Sequence, residues 1–413
     1  MKRRIFGKTN QEVSILAFGA MRLPVIDEVN HHINEGPAIQ MIRSAIDAGV
    51  NYVDTAYPYH GKSFSEGGAG EPLVAKALRD GYRERVKLAT KLPSWLVKSR
   101  ADMDRLLDEQ LQRLETSHID FYLVHALNKG LWKNLKALGV GEFLDAALAD
   151  GRIGHAGFSF HDDQKTFLEI VDGYDWSFCM FQYSYLDEQY QAGRAGLDYA
   201  ASKGLGIAVM EPLRGGSLAG PLPPRAQEIL DRAETQRSPV DWALRWVWNH
   251  PEVAVVLSGM SAQEQVDENV RIAATAEANT LTEDELSRID QVKEIFRSTI
   301  KVPCTACGYC MPCPHGVDIP TNFSVYNNYF LLDGSEGQAA HRLSTIRSLG
   351  YSLFGPARAD ACVACGLCEE HCPQQIAIPA ELEKVADLFA NAPENGILAE
   401  LQARTENADR QGC

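Results

Sequence analysis

The feature that most limits the fold is a repeat of short, β-rich apolar runs separated by helical stretches. The runs are 13–18, 52–54, 86–90, 121–125, 153–158, 178–182, 206–210 and 253–257. The segments between them carry apolar residues every three to four positions, as in Met103-Leu106-Leu107-Leu111-Leu114, which is helical period. Eight strand–helix units before residue 300 predict an α/β chain with a (β/α)8 TIM barrel rather than an open doubly wound sheet. Arg3 to Phe6 and Val13 to Ile15, joined by Gly7-Lys8-Thr9-Asn10, are expected to pair as a hairpin ahead of the barrel. Thr282-Glu283-Asp284-Glu285 is a capping box that opens a helix to about Ile300. Lys301-Val302-Pro303 breaks that pattern. The expected division is therefore a barrel over 1–300, a small mainly helical domain over 301–392, and a tail over 393–413 that carries no motif.

The second domain is defined by its thiols. Eight of the ten cysteines fall into two runs, Cys304-x-x-Cys307-x-x-Cys310-x-x-Cys313-Pro314 and Cys362-x-x-Cys365-x-x-Cys368-x-x-x-Cys372-Pro373. The second has the spacing of bacterial four-iron cluster ligands, and the first differs by one residue in its last gap. Cys-x-x-Cys pairs also hold zinc, but two four-cysteine runs each closed by Cys-Pro point to two [4Fe–4S] clusters. In such runs the fourth cysteine serves the other cluster. Crossed ligation is thus expected: Cys304, Cys307 and Cys310 with Cys372, and Cys362, Cys365 and Cys368 with Cys313. An internal echo, Cys-Pro-His-Gly-Val-Asp-Ile-Pro at 313–320 and Cys-Pro-Gln-Gln-Ile-Ala-Ile-Pro at 372–379, opens a helix each time. The residues between the runs also read as helical, at 323–332 and 339–349. That leaves no room for a compact strand-rich ferredoxin and suits a helical ferredoxin-like arrangement.

The formal charge is −15, which argues against nucleic acid or an anionic membrane as partner. No run approaches the roughly eighteen apolar residues of a membrane span, and Met1-Lys2-Arg3-Arg4 is not followed by the apolar core of a signal peptide. Only Cys179 and Cys413 lie outside the runs. That is no disulfide framework, and a reducing cytoplasm is the expected compartment.

Barrels of this kind place their chemistry at the C-terminal ends of the strands. The second, third and fourth barrel strands end near Asp54, Lys91 and His125, and Tyr57 and Tyr59 follow the second. An acid, a base, a cation and a phenol at three successive strand ends would converge on one pocket mouth. On Asp-Thr-Ala-x-x-Tyr at 54–59, Thr-Lys at 90–91 and Leu-Val-His at 123–125, residues 1 to about 300 resemble the aldo/keto reductase family. The resemblance implies a catalytic tetrad of Asp54, Tyr59, Lys91 and His125. Tyr59 would donate a proton to a carbonyl oxygen, and Lys91 would lower its pKa. Asp54 would hold the lysine, and His125 would orient the substrate. Family spacing favours Tyr59 over Tyr57 as the acid.

The same resemblance implies a nicotinamide cofactor, NADP(H) or NAD(H). Its ring would meet Ser159, Gln182 and Met210, and its pyrophosphate the loop with Leu213, Gly215, Gly216 and Ser217. Its adenosine end would meet Ser258, Gln265, Glu268 and Asn269. Phe160, Met210 and Gln265 depart from the family's usual Asn, aromatic and Arg, and Arg214 is a candidate replacement cation. No flavin motif is present. The whole chain resembles the branch of the family with a C-terminal two-cluster ferredoxin-type domain. Two functions follow as expectations. One is an oxidoreductase that interconverts a small carbonyl and its alcohol, its clusters relaying electrons to or from a ferredoxin-like or flavodoxin-like carrier. The other is an electron-transfer or redox-sensing protein whose barrel is a ligand-binding or docking scaffold without turnover.

Overall fold

A computed structural model describes residues 1–26, 30–331 and 358–390. The chain divides into two compact units, Met1–Pro221 with Ile229–Lys293, and Leu222–Glu228 with the residues from Glu294 onward.

In the first unit, β1 (Arg3–Ile5) and β2 (Glu12–Ser14) pair antiparallel, Arg3 opposite Ser14. Eight further strands close a barrel in chain order: β3 (Leu16–Gly19), β4 (Tyr52–Asp54), β5 (Lys87–Leu92), β6 (Ile119–Leu127), β7 (Ile153–Phe160), β8 (Phe178–Gln182), β9 (Gly206–Met210) and β10 (Val253–Gly259). Every adjacent pair is parallel. The apolar run at 13–18 is therefore shared between hairpin and barrel. Side chains make the corner: the Ser14 hydroxyl donates to the Leu16 carbonyl at 2.7 Å, and Asn51 Oδ1 accepts the Ser14 amide at 2.6 Å.

The hairpin also carries the barrel's floor. Phe6 lies 6.0 Å from Tyr52, 5.2 Å from Phe121 and 5.3 Å from Phe178, ring centre to ring centre. These partners stand at or near the N-terminal starts of β4, β6 and β8. Burying such a ring contributes roughly 1.5–3 kcal/mol, and each aromatic pair adds about 0.5–1.5. There is no spare room. A methyl on Gly206 would meet the Phe6 ring at 2.5 Å, and one on Gly7, whose φ is +52°, would meet the Gly206 amide at 2.2 Å.

Outside the barrel, the Arg100–Arg113 helix opens on a reciprocal Ser99–Asp102 capping box and buries Met103, Leu106, Leu107 and Leu111. The Glu283–Thr299 helix opens on the expected Thr282–Glu285 box, with bonds of 2.9 and 3.2 Å.

The second unit has helices Ile319–Leu331 and Ile378–Ala390, each opening just after a Cys-Pro segment with a proline in its first turn. Val302, Val317, Ile319, Phe323, Ile378 and Val385 form its core, and Cys304, Cys310, Cys313, Cys362, Cys368 and Cys372 pack against it partly buried. The helix expected at 339–349 and the tail at 393–413 lie outside the described residues. No helix among the described residues is long and apolar enough to cross a membrane.

Candidate active site and thiol cradle

The strand ends bring Asp54, Lys91, Tyr59 and His125 together. Lys91 Nζ donates to Asp54 Oδ1 at 2.6 Å, to the Thr55 carbonyl at 2.8 Å and to the Tyr59 hydroxyl at 3.3 Å. Its cation also lies 4.8 Å from the Tyr59 ring centre. Asp54, Lys91 and His125 are buried, and Tyr59 is partly exposed. His125 is aimed by a local irregularity. Ala126 has a left-handed φ of 53°, its amide donates to Ser159 Oγ at 2.7 Å, and the β6–β7 register shifts between Val124 and Leu127. Bulges of this kind re-aim side chains at barrel rims.

Electrostatics assign the protons. Burial pushes Tyr59 well above its ordinary range, and the Asp54 and Glu211 carboxylates add to that. The sequence led us to expect a lowered value; desolvation and two carboxylates outweigh one cation. Burial lowers Lys91 and raises Asp54, while their mutual contact opposes both shifts. Burial, then Lys91 and His161, hold His125 well below the usual imidazole range, so it is neutral. Tyr57 is separated from this group, its hydroxyl donating to Glu109 at 2.9 Å.

The cofactor positions divide. Ser159, Gln182, Met210 and Ser258 sit at or near the C-terminal ends of β7, β8, β9 and β10. Gln182 Nε2 donates to Asp187 Oδ2 at 3.0 Å, Ser184 donates to the same oxygen at 2.8 Å, and Arg214 Nε stands 3.3 Å from Asp187 Oδ1. Arg214 is thus buried against a carboxylate rather than offered to a phosphate. In the loop after β9, Glu211, Arg214, Gly215 and Gly216 all have positive φ, a nest-like arrangement. The amides of Arg214, Gly216, Ser217 and Leu218 donate to carbonyls of the same loop. Asn269 Nδ2 donates to Ser258 Oγ at 3.0 Å, and Gln265 Oε1 accepts the Ser261 amide at 2.8 Å. Glu268 is drawn elsewhere, accepting from Ser238 Oγ at 2.6 Å. Phe160 is fully buried and packs edge-on against Phe167 at 5.0 Å, outside the barrel. The residues fit a polar ligand at the mouth. Asp54 Oδ2 and Thr55 Oγ1 are buried without a hydrogen-bond partner among the described residues, and the Cα of Gly216 faces open space.

In the second unit, Cys304, Cys307, Cys310 and Cys372 line one pocket, walled by Ile319, Phe323 and Ile378. Burial, then Cys304 and Cys372, push the Cys310 thiol up to about 12. Burial pushes Cys368 up to about 11, with Cys362, Glu369 and Cys313 adding to it. Each run's fourth cysteine therefore neighbours the other run's thiols. Among the described residues no three metal-ligating side chains converge on a single-ion site. The four thiols stand instead around a void, which fits a cluster.

Residues 15–294 match the aldo/keto reductase family, most of the chain. The chain belongs to the aldo/keto reductase family. Residues 303–377 match the 4Fe-4S dicluster domain, so this member carries an iron–sulfur domain behind its barrel. It is 29% identical over 290 residues to a 6-dehydroglucose reductase of Novosphingobium aromaticivorans, covering 67% of this chain and 89% of that one. It is 25% identical over 319 residues to an L-galactose dehydrogenase of Arabidopsis thaliana, covering 70% and 94%. An aldo-keto reductase of Bacillus halodurans in its holo form superposes with a TM-score of 0.58 at 26% identity, covering 71% of this chain and 96% of that one. The barrel is accordingly that of a carbonyl-reducing oxidoreductase.

Sequence reading missed the groups that hold this reductase's site in place. Behind Lys91, the buried Glu71 accepts from Thr90 at 2.7 Å, Gln110 at 2.8 Å and Arg113 at 2.8 Å, and Gln110 also donates to the Lys91 carbonyl at 3.0 Å. Trp95 lies 5.2 Å from the His125 ring and is anchored by its indole N–H on the Phe64 carbonyl at 2.8 Å.

Proposed function

We propose that the barrel interconverts a small aldehyde or ketone and its alcohol, with Tyr59 as proton donor. The observation that carries this is the placement of Lys91 Nζ within reach of Asp54, the Thr55 carbonyl and the Tyr59 hydroxyl at once. Tyr59 keeps its proton at neutral pH and holds it at the pocket mouth. As that proton moves to a substrate oxygen, the Lys91 cation stabilises the phenolate left behind, and Asp54 keeps the cation in place. Neutral His125 orients the substrate oxygen. Reduced nicotinamide, when bound, supplies hydride. Ser159, Gln182 and Met210 would hold its ring end, the 213–217 loop its phosphates, and Ser258, Gln265 and Asn269 its adenosine end. Arg214 is neutralised by Asp187 and Gln265 is uncharged, which favours NAD(H) over NADP(H). The named relatives act on sugars, which supports a polyhydroxylated carbonyl as substrate.

The thiol grouping supports two [4Fe–4S] clusters with crossed ligation, Cys372 closing the first set and Cys313 the second. Such clusters pass single electrons to or from a carrier protein. Eight thiols committed to iron suit a reducing compartment such as the cytoplasm. The second reading, a barrel that binds without turnover, is favoured by the loop after β9, where the amides of Arg214, Gly216, Ser217 and Leu218 are spent on its own carbonyls.

An anaerobic titration with NADH and NADPH decides between them. Nicotinamide absorbance and cluster bleaching are followed with and without a panel of sugar-sized carbonyls. Carbonyl-dependent oxidation of NADH is the expected result. Binding without oxidation across the panel would favour the scaffold.

A further inference from the structure

The two cysteine runs share one backbone. Both read Cys-x-Ala-Cys-Gly-x-Cys, and the left-handed residues match: Ala306 at φ 52° and Gly308 at 79°, Ala364 at 55° and Gly366 at 77°. Their side chains are disposed oppositely. Thr305 in the first loop is 1% exposed, whereas its counterpart Val363 is 58% exposed. Leu367 is 52% exposed, and Cys365 is exposed while Cys307 is only partly so. Four large apolar side chains among the described residues are left mostly open, and two of them are Val363 and Leu367, on one ligand loop. A polar residue buried in one copy and an apolar one exposed in the other is the reverse of what burial alone selects. Among the described residues, the exposed loop is rimmed by Asp360, Glu369 and Glu370, all exposed, against one guanidinium, Arg358, which is paired with Asp360 at 2.7 Å. Three carboxylates against one cation leave the rim acidic, and four thiolates would deepen the negative field.

We propose that this loop, Cys362 to Cys368 with Val363 and Leu367 at its centre, is the docking surface for a one-electron carrier protein whose own redox centre is ringed by basic side chains. The proposal rests on the relay reading above and adds which loop meets the carrier and what charge the carrier bears. Val363 and Leu367 give the apolar centre of the contact, and the acidic rim steers the partner. Each encounter moves one electron between the carrier and the cluster held by Cys362, Cys365, Cys368 and Cys313. One side is oxidised by one and the other reduced by one, with no bond made and no proton moved.

The test uses the full holoprotein, reduced anaerobically with dithionite and desalted. It is mixed by stopped flow with an oxidised c-type cytochrome whose haem edge is ringed by lysines, or with an acidic b-type cytochrome of similar size. Binding of the basic cytochrome is measured in parallel by calorimetry. The basic cytochrome should react at least about tenfold faster at low salt, an advantage that shrinks as salt rises. Val363→Ser with Leu367→Ser should weaken binding and slow transfer by about fivefold or more. Glu369→Lys with Glu370→Lys should slow the basic cytochrome and speed the acidic one. Iron and sulfide analysis of each variant establishes that its clusters are intact. Transfer that proceeds at wild-type rates in both double variants overturns the docking surface and leaves the relay standing. Clusters that bleach with dithionite yet give no electron to either cytochrome overturn the relay and the surface together.

Discussion

The barrel and the cysteine-bearing unit are organised on opposite principles. The barrel is filled by its own side chains: Phe6, Tyr52, Phe121 and Phe178 close its floor, and Lys91 is neutralised inside it by Asp54. Among its described residues the second unit has a small core of ten buried residues, and much of the surface packed against it is thiol. Among the described residues it holds a pocket lined by Cys304, Cys307, Cys310 and Cys372. One region is complete as a polypeptide, and the other is shaped around a group it must acquire. Small domains commonly depend on such staples.

If that contrast is right, iron removal is the sharpest way to expose it. Anaerobically prepared protein should hold about eight iron and eight sulfide, two cubanes' worth. Chelation under reducing conditions should abolish amide-exchange protection in helices Ile319–Leu331 and Ile378–Ala390 and leave β3–β10 protected. Equal protection of both units after iron loss would break the comparison. Next in size, Tyr59→Phe should cut carbonyl reduction by roughly 10²–10⁴-fold while nicotinamide binding and the cluster spectrum stay unchanged. A variant that keeps wild-type turnover would remove Tyr59 from its role. Phe121→Ala should destabilise the barrel by about 3–5 kcal/mol, read from denaturant melts of the β-barrel signal, without loss of iron.

The smallest effect is acid sensitivity of the barrel. Burial, mainly, lowers His161 and His250 to about 4. Their folded values lie below the unfolded value near 6.5, so the unfolded chain binds more protons between the two. The barrel's stability should be flat above pH 6.5 and fall as pH drops toward 4, by at most about 1.4 kcal/mol per pH unit per histidine, read as a falling melting temperature. Replacing both with Gln should make that limb shallower, buried His125 supplying part of what remains. A barrel whose stability is level from pH 7 to 4.5 would show that neither ring titrates as its surroundings dictate.

Periodicity made the barrel legible because its strands are mostly buried and most carry short apolar runs. The tetrad was legible because Asp54 and Tyr59 share a loop, and because Lys91 and His125 lie within strands whose ends the pattern located. What the sequence could not give was pairing across the fold. Arg214 looked like a spare cation until Asp187, 27 residues earlier, proved to be its partner. Glu268, expected at the adenosine end, turns instead to Ser238. Glu71 and Gln110 carry no local signal at all. Their role arises only where β5 meets the 100–113 helix, and the direction of the Tyr59 shift depends on burial and on Glu211, which the sequence does not bring near it.

The floor beneath the barrel has a last consequence. Phe6 and the Gly7–Gly206 contact pack the strand starts tightly, so the Lys91 cluster faces the strand-end side of the barrel. Two reactants that share a vessel with one door must queue: whichever seats deeper goes in first and comes out last. An excess of the shallower reactant then traps its companion inside. By packing the strand starts, the hairpin that precedes the barrel would leave reactants to share the mouth at the opposite end.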